Sequence, residues 1–224
     1  MKWKCVVSVL TLGVLLHAAP TRAESVALAA GSSTTLKVDV SERTFDIYLP
    51  GVEGLSPVFL EFSGLLANKD YLVNAHLTNA SSSGWKGFSA EVLNPADAED
   101  DEFDVQPQPK YVPAGYSTSN DGDGFSFAQR SDLPRTSDVF TDVFVDEQTD
   151  MRDFLRYSGG IVSAGTSTLL TFGVRDFEGG RPFLLAFLFD GAGASAIPEP
   201  GSLLLIATGA LGVAGAIRQR RRTR

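Results

Sequence analysis

The chain has 224 residues, 43% of them hydrophobic and 21% charged, and a formal net charge of −8. That is enough apolar material for one full core, while the acid excess argues against nucleic acid as a partner. Its one cysteine, Cys5, leaves the rest of the chain without a disulfide framework or a thiolate metal site.

Taken from the N-terminus, Met1-Lys2-Trp3-Lys4 is basic, Cys5 to Leu16 is apolar, and Thr21-Arg22-Ala23 ends on a small residue. This order predicts a secretory signal peptide over residues 1–23, cut by signal peptidase between Ala23 and Glu24. The apolar run is too short to span a bilayer comfortably. Residues 24–197 then hold 26 acidic and 11 basic side chains, a net of −15. Such a charge favours solubility.

The exported region, residues 24–190, reads as one domain built of short strands. Thr34–Val40 and Thr44–Leu49 are rich in Thr, Val and Ile and flank a Ser-Glu-Arg turn, which predicts a hairpin. Val58–Phe62 follows. Tyr71–Thr78 places Tyr71, Val73, Ala75 and Leu77 on one face and Leu72, Asn74, His76 and Thr78 on the other, a period of two. Gly87–Leu93, Gly124–Ala128, Val139–Val145, Thr168–Val174 and Pro182–Phe189 complete the expected strands. Asp150–Tyr157 has helical spacing, with Met151, Phe154 and Leu155 together. The pattern predicts a mainly β fold, an antiparallel β-sandwich of jelly-roll or Ig-like type with one short helix.

Pro95 to Gly124 interrupts the strands with an acid run and Pro107, Pro109 and Pro113, which predicts a long exposed loop. Within it, Asn120-Asp121-Gly122-Asp123-Gly124 alternates oxygen donors with glycines. Asp121 and Asp123 suit Ca²⁺, which takes six to eight oxygens. A plain hairpin turn is the preferred reading, since Asp-Gly pairs are the commonest hairpin signal and the bidentate Glu of an EF-hand is lacking. No other cofactor is implied.

After a Gly/Ala/Ser tether over residues 191–197 comes Pro198-Glu199-Pro200, then an uncharged stretch from Ser202 to Ile217, then Arg218, Arg220, Arg221, Arg222 and Arg224 in residues 218–224. Sixteen residues make a helix of about 24 Å, short for a hydrocarbon core of about 30 Å unless arginines snorkel and the bilayer thins. The prolines stop the helix from extending upstream, and the arginines hold the C-terminus in the cytoplasm. A transmembrane helix over residues 202–217 is therefore expected, with everything before the motif outside.

Motif, helix and arginine cluster together over residues 198–224 resemble the PEP-CTERM sorting signal of bacterial surface proteins. The resemblance implies a transient inner-membrane anchor and processing near Pro198, Glu199 and Pro200 by a membrane-embedded exosortase, followed by delivery to the cell surface or extracellular matrix. In bacteria that system accompanies exopolysaccharide production. A second likeness lies in Leu77-Thr78-Asn79-Ala80, Gly84-Trp85-Lys86-Gly87-Phe88, Ser158-Gly159-Gly160-Ile161-Val162 and Ala164-Gly165-Thr166, which is similar to a group of uncharacterised PEP-CTERM proteins. It implies a β-sandwich and no activity.

Chemistry is sparse along the exported region. His76 is its only histidine and sits on the polar face of an alternating strand, so neither a multi-histidine metal site nor a second imidazole is available. No Gly-x-Ser-x-Gly elbow surrounds a serine. Acid pairs for glycoside hydrolysis are defined by separation in space, which sequence does not supply. The preferred reading is a non-enzymatic exported surface or matrix protein. The alternative is a secreted, calcium-dependent glycan-binding module or carbohydrate-active enzyme, with Trp85, Tyr111 and Tyr116 stacking on extracellular polysaccharide. For Trp85, next to Gly84 and Gly87, the preferred reading is a core anchor at a strand entrance.

Overall fold

The computed structural model describes residues 23–30, 32, 34–96, 108–119, 124–128, 131–145 and 152–191. The signal peptide up to residue 22, Asn120 to Asp123, the tether beyond Gly191, the sorting motif, the apolar helix and the arginine cluster lie outside the described residues.

Thirteen strands are described: β1 (Ser25–Leu28), β2 (Lys37–Ser41), β3 (Thr44–Val52), β4 (Val58–Ser63), β5 (Lys69–Asn79), β6 (Trp85–Pro95), β7 (Tyr116–Thr118), β8 (Phe125–Ser126), β9 (Thr136–Ser137), β10 (Asp142–Val145), β11 (Phe154–Ser158), β12 (Ser167–Asp176) and β13 (Phe183–Gly191). They form two sheets. Sheet A has the order β1-β4-β13-β6-β11-β10, with β7 also on β6; sheet B has the order β2-β3-β5-β12-β8, with β9 also on β12.

Alternation explains the layers. Phe45, Ile47 and Leu49 of β3 and Tyr71, Val73, Ala75 and Leu77 of β5 are fully buried, as are Leu185 and Phe187 of β13. Aromatic rings interlock across this interior: Phe45 meets Phe62 edge-on at 5.3 Å, and Phe88 meets Phe187 at 5.0 Å. Each such ring contributes about 1.5–3 kcal/mol by leaving water. The resulting single core explains why a chain without cysteines in this region can hold two sheets together.

Three expectations need correction. Phe154–Ser158 is strand β11, antiparallel to β6 with Phe154 opposite Glu91 and Tyr157 opposite Phe88. Its helical spacing rested on Met151, outside the described residues, whereas Leu155 and Tyr157 face the core by simple alternation. Among the described residues there is no helix. Pro95 to Gly124 is not simply an exposed loop: residues 108–119 lie against sheet A, where β7 pairs with the end of β6 and Tyr111, Val112 and Tyr116 pack on Leu93, Phe154 and Leu184. The sandwich is not wholly antiparallel either, because β3 and β5 pair in parallel. The intervening β4 belongs to the other sheet, so the chain returns to sheet B in its original direction.

The expected hairpin is present as β2 and β3, closed by Glu42 and Arg43, both at positive φ. Its first strand begins at Lys37 rather than Thr34, and β13 continues to Gly191, the first residue assigned to the tether.

Candidate functional site

Two places gather polar side chains, one on the outer face of each sheet. On sheet A, Glu91 is the lone carboxylate in a mainly apolar strand. Alternation turns it away from the core and under residues 108–119. Arg152, just before β11, reaches it with Nε at 2.5 Å and Nη2 at 2.7 Å. The Tyr111 hydroxyl donates to Glu91 Oε2 and accepts from Arg152 Nη2 at 2.7 Å. The side chains of Arg152 and Glu91 retain only 8% and 0% of their accessible surface. Burial, and next the Glu91 charge, push the Tyr111 hydroxyl far above the usual phenol range. Tyr111 therefore stays protonated as a donor.

Beside this triad, Ser119 donates to Asp153 Oδ2 at 2.7 Å where the partner of β6 changes from β11 to β7. The cluster fastens the 108–119 excursion to the sheet. With Glu91 and Arg152 buried and Tyr111 partly exposed at the edge, the cluster pairs a carboxylate and a guanidinium with each other.

The outer face of sheet B is open. Lys37, Tyr48, His76 and Leu169 stand in register across β2, β3, β5 and β12. Tyr48 and His76 stack at 4.5 Å and 7°, and Lys37 Nζ covers the other face of Tyr48 at 4.8 Å. Beside this row runs a groove of about 310 Å³ lined by Tyr48, Pro50, His76, Thr78, Asp138 and Thr168 among others. Asp138 Oδ1 accepts from Thr168 Oγ1 at 2.7 Å and Leu169 N at 2.9 Å. His76 is thus the cross-strand histidine that alternation predicts.

The residues chosen from sequence as sugar contacts are not brought together. Trp85 is fully buried and packs at a tilt against Phe189 with ring centroids 4.4 Å apart, which is the core-anchor reading. Tyr111 is occupied with Glu91 and Arg152. Tyr116 is half-buried, and burial followed by the Glu61 charge pushes its hydroxyl upward. Of the expected signal-peptidase pair, Glu24 accepts from the Tyr71 hydroxyl at 2.7 Å, and burial carries that tyrosine to about 12. Asp121 and Asp123 lie outside the described residues. Their sequence neighbour Gly124 packs against Glu178, and Asp176 nearby is fully buried. Among the described residues no group of three metal-ligating side chains is found.

Sequence reasoning missed the Glu91–Arg152 pair because 61 positions separate its members. The usable signal was Glu91 itself, a single acid within Phe88-Ser89-Ala90-Glu91-Val92-Leu93. The motifs of the second likeness do converge. Asn79 Nδ2 donates to the carbonyls of Ser83 and Val162 at 2.8 and 2.9 Å, Asn79 N donates to Thr166 O at 2.9 Å, and Trp85 bridges Val162. Asn79 is buried in this knot, so its Asn-Ala-Ser triplet has a structural use.

The model of the PEP-CTERM protein-sorting motif matches residues 196–222. The tail therefore carries a PEP-CTERM sorting motif, which supports an exported protein with a C-terminal membrane anchor before cleavage, sorted by an exosortase. No curated protein and no solved structure matches the chain.

Proposed function

We propose that the β-sandwich is a non-enzymatic cargo of exosortase sorting, a cell-surface or extracellular-matrix protein that works alongside exopolysaccharide. The sorting motif carries this reading. The chemistry of the domain supports it: in the grouping that looks most like an active site, Glu91 and Arg152 are buried and, with Tyr111, satisfy one another. Intact mass of the surface form is expected to lack residues 1–23 and the arginine cluster. Alanine at Pro198, Glu199 and Pro200 is expected to leave export and insertion intact and block release. Processing at the wild-type rate in that variant would remove the motif as the recognition element.

A second reading, a calcium-dependent glycan-binding module, draws on the open groove beside Tyr48 and His76 rather than on Trp85, Tyr111 and Tyr116. The cation would meet the buried Asp176, whose Oδ2 has no hydrogen-bond partner among the described residues, with Glu178 two residues on. Calcium would raise the melting temperature through binding to the folded state. A melt in chelator and then in millimolar Ca²⁺ that does not move rejects this reading.

A further inference from the structure

The strand that hands the chain over to the sorting tail ends in an unusual part of the surface. β13 lies between β4 and β6 and finishes at Gly191, opposite Trp85. Leu55, in the turn between β3 and β4, sits against this residue so closely that a Cβ on Gly191 would come within 2.8 Å of its methyl. One strand further, Ile161 covers Gly84, whose added Cβ would lie 2.9 Å from Ile161 Cγ2. Leu55 is 41% exposed and Ile161 58%. Strand spacing of about 4.8 Å puts both within roughly 10 Å of the point where the tail departs.

Charge is scarce at this end. The turns that flank Gly191, residues 53–57, 80–84 and 159–166, contain one ionisable side chain, Glu53, within a region of net charge −15. Beside these turns stand the exposed Lys86 on β6, Asp142 against Gly159 at the sheet edge, and Asp138, whose Oδ1 accepts from Thr168 Oγ1 and Leu169 N. Asp190 is paired with Arg156 at 3.0 Å. The opposite end also exposes large apolar side chains, among them Leu66 at 53% and Phe177 at 40%. There they are surrounded by Lys69, Asp70, Arg175, Glu178 and Arg181, with Arg175 lying 5.3 Å over the Phe177 ring. The Asn79 knot holds the neutral turns in place, since it ties residues 79–85 to residues 162–166.

The anchor sets the distance. Residues 192–201 separate Gly191 from the apolar stretch that opens at Ser202. Ten residues span at most about 35 Å fully extended, comparable with the length of the eleven-residue β5. The domain cannot move far from the bilayer while the tail is in place, and the end that faces it is the neutral one.

We propose that this end of the sandwich rests on the lipid surface before cleavage, with Leu55 and Ile161 in the headgroup region. The proposal rests on the anchored stage of the sorting reading. An acidic end would be repelled by anionic lipid, whereas this one presents aliphatic side chains, backbone amides and hydroxyls, groups suited to the interface. It also leaves the charged end pointing away.

The test uses the full chain with Cys5→Ser and a single new cysteine, Ile161→Cys or Leu66→Cys, carrying a fluorophore quenched by nitroxide lipids. Each is inserted into vesicles of phosphatidylethanolamine and phosphatidylglycerol containing nitroxide lipid. The label at position 161 is expected to lose most of its fluorescence and that at position 66 to keep it. Leu55→Asp, exposed enough to leave the circular dichroism unchanged, is expected to restore the signal at 161. Equal quenching at the two positions, or none at either, would overturn the proposal while leaving the anchor intact. Quenching at 161 only when purified exosortase is added would also overturn it, by assigning the surface to the enzyme. Failure of the chain to float with the vesicles would remove the anchor and the proposal together.

Discussion

The outer faces of the two sheets began from the same alternation and ended in opposite conditions. On sheet B the outward residues of β2, β3 and β5 stay at the surface, where Lys37, Tyr48 and His76 stack in a row and Asn74 donates to Asp46 at 3.0 Å. On sheet A the outward residues of β6, β11 and β13 are covered by the 108–119 excursion, so Leu93, Phe154, Leu184, Ala186 and Leu188 form a second apolar cluster. A polar outward residue is therefore inexpensive on one sheet and demanding on the other. Glu91, outward on sheet A, has Arg152 and Tyr111; Asp176 in sheet B lies on the inward alternation of Leu170, Phe172 and Val174, is equally buried, and has only backbone donors on one oxygen.

The sharpest break in this contrast is removal of one partner of the buried pair. Arg152→Ala is expected to cost about 3–5 kcal/mol, because Glu91 keeps its burial and loses its cation. The double change Glu91→Leu with Arg152→Met is expected to recover most of that loss, since apolar replacements need no counter-charge. Urea unfolding of these variants beside the wild type measures both. A cost below about 1 kcal/mol for Arg152→Ala would mean that the excursion is held by its apolar contacts instead.

The corresponding change on the open face is smaller. His76→Ala removes an aromatic stack worth about 0.5–1.5 kcal/mol and leaves no charge stranded. The same unfolding assay is expected to place it well above Arg152→Ala in stability. A loss as large as that of Arg152→Ala would show the two faces to be energetically alike.

The smallest effect at neutral pH is expected at Asp176. Burial first, with the Glu178 charge adding to it, raises this carboxyl above its ordinary 3.8, against the lowering effect of the Gly179 and Glu178 amides. A raised folded value means that the native state holds the proton more tightly than the unfolded chain. The associated stability is complete below 3.8 and is lost as pH rises through the folded value. Asp176→Asn keeps an oxygen for Glu178 N and Gly179 N and does not ionise. Its stability relative to wild type is expected to improve as pH climbs from below the carboxylate range to neutrality. Melts on both sides of that range check the sign, and a trend in the other direction would mean that Asp176 has a cation in the folded state.

Segments whose chemistry is local were legible in the amino-acid order alone. The sorting tail is such a case: its motif, apolar stretch and arginines act in linear order, and residues 196–222 match the sorting-motif model. The strands of strict alternation were equally legible, since a period of two puts Tyr71 to Leu77 inside and His76 outside without reference to a partner. The core position of Trp85 was one of two readings, and burial against Phe189 decided between them.

What depended on partners far away in the chain was not legible. Phe154 and Leu155 suit a helix or a strand locally, and pairing of β11 with β6 made them strand. Whether Glu91 would face water or a guanidinium depended on where residues 108–119 came to lie, and whether β5 would run parallel to β3 depended on β4 joining the other sheet. Local order and period suffice for export, for the tail and for the inward faces of the strands. Which outward face is covered, and from which end of the sandwich the tail leaves, follow instead from strand pairing and layer choice, which contacts between distant residues settle.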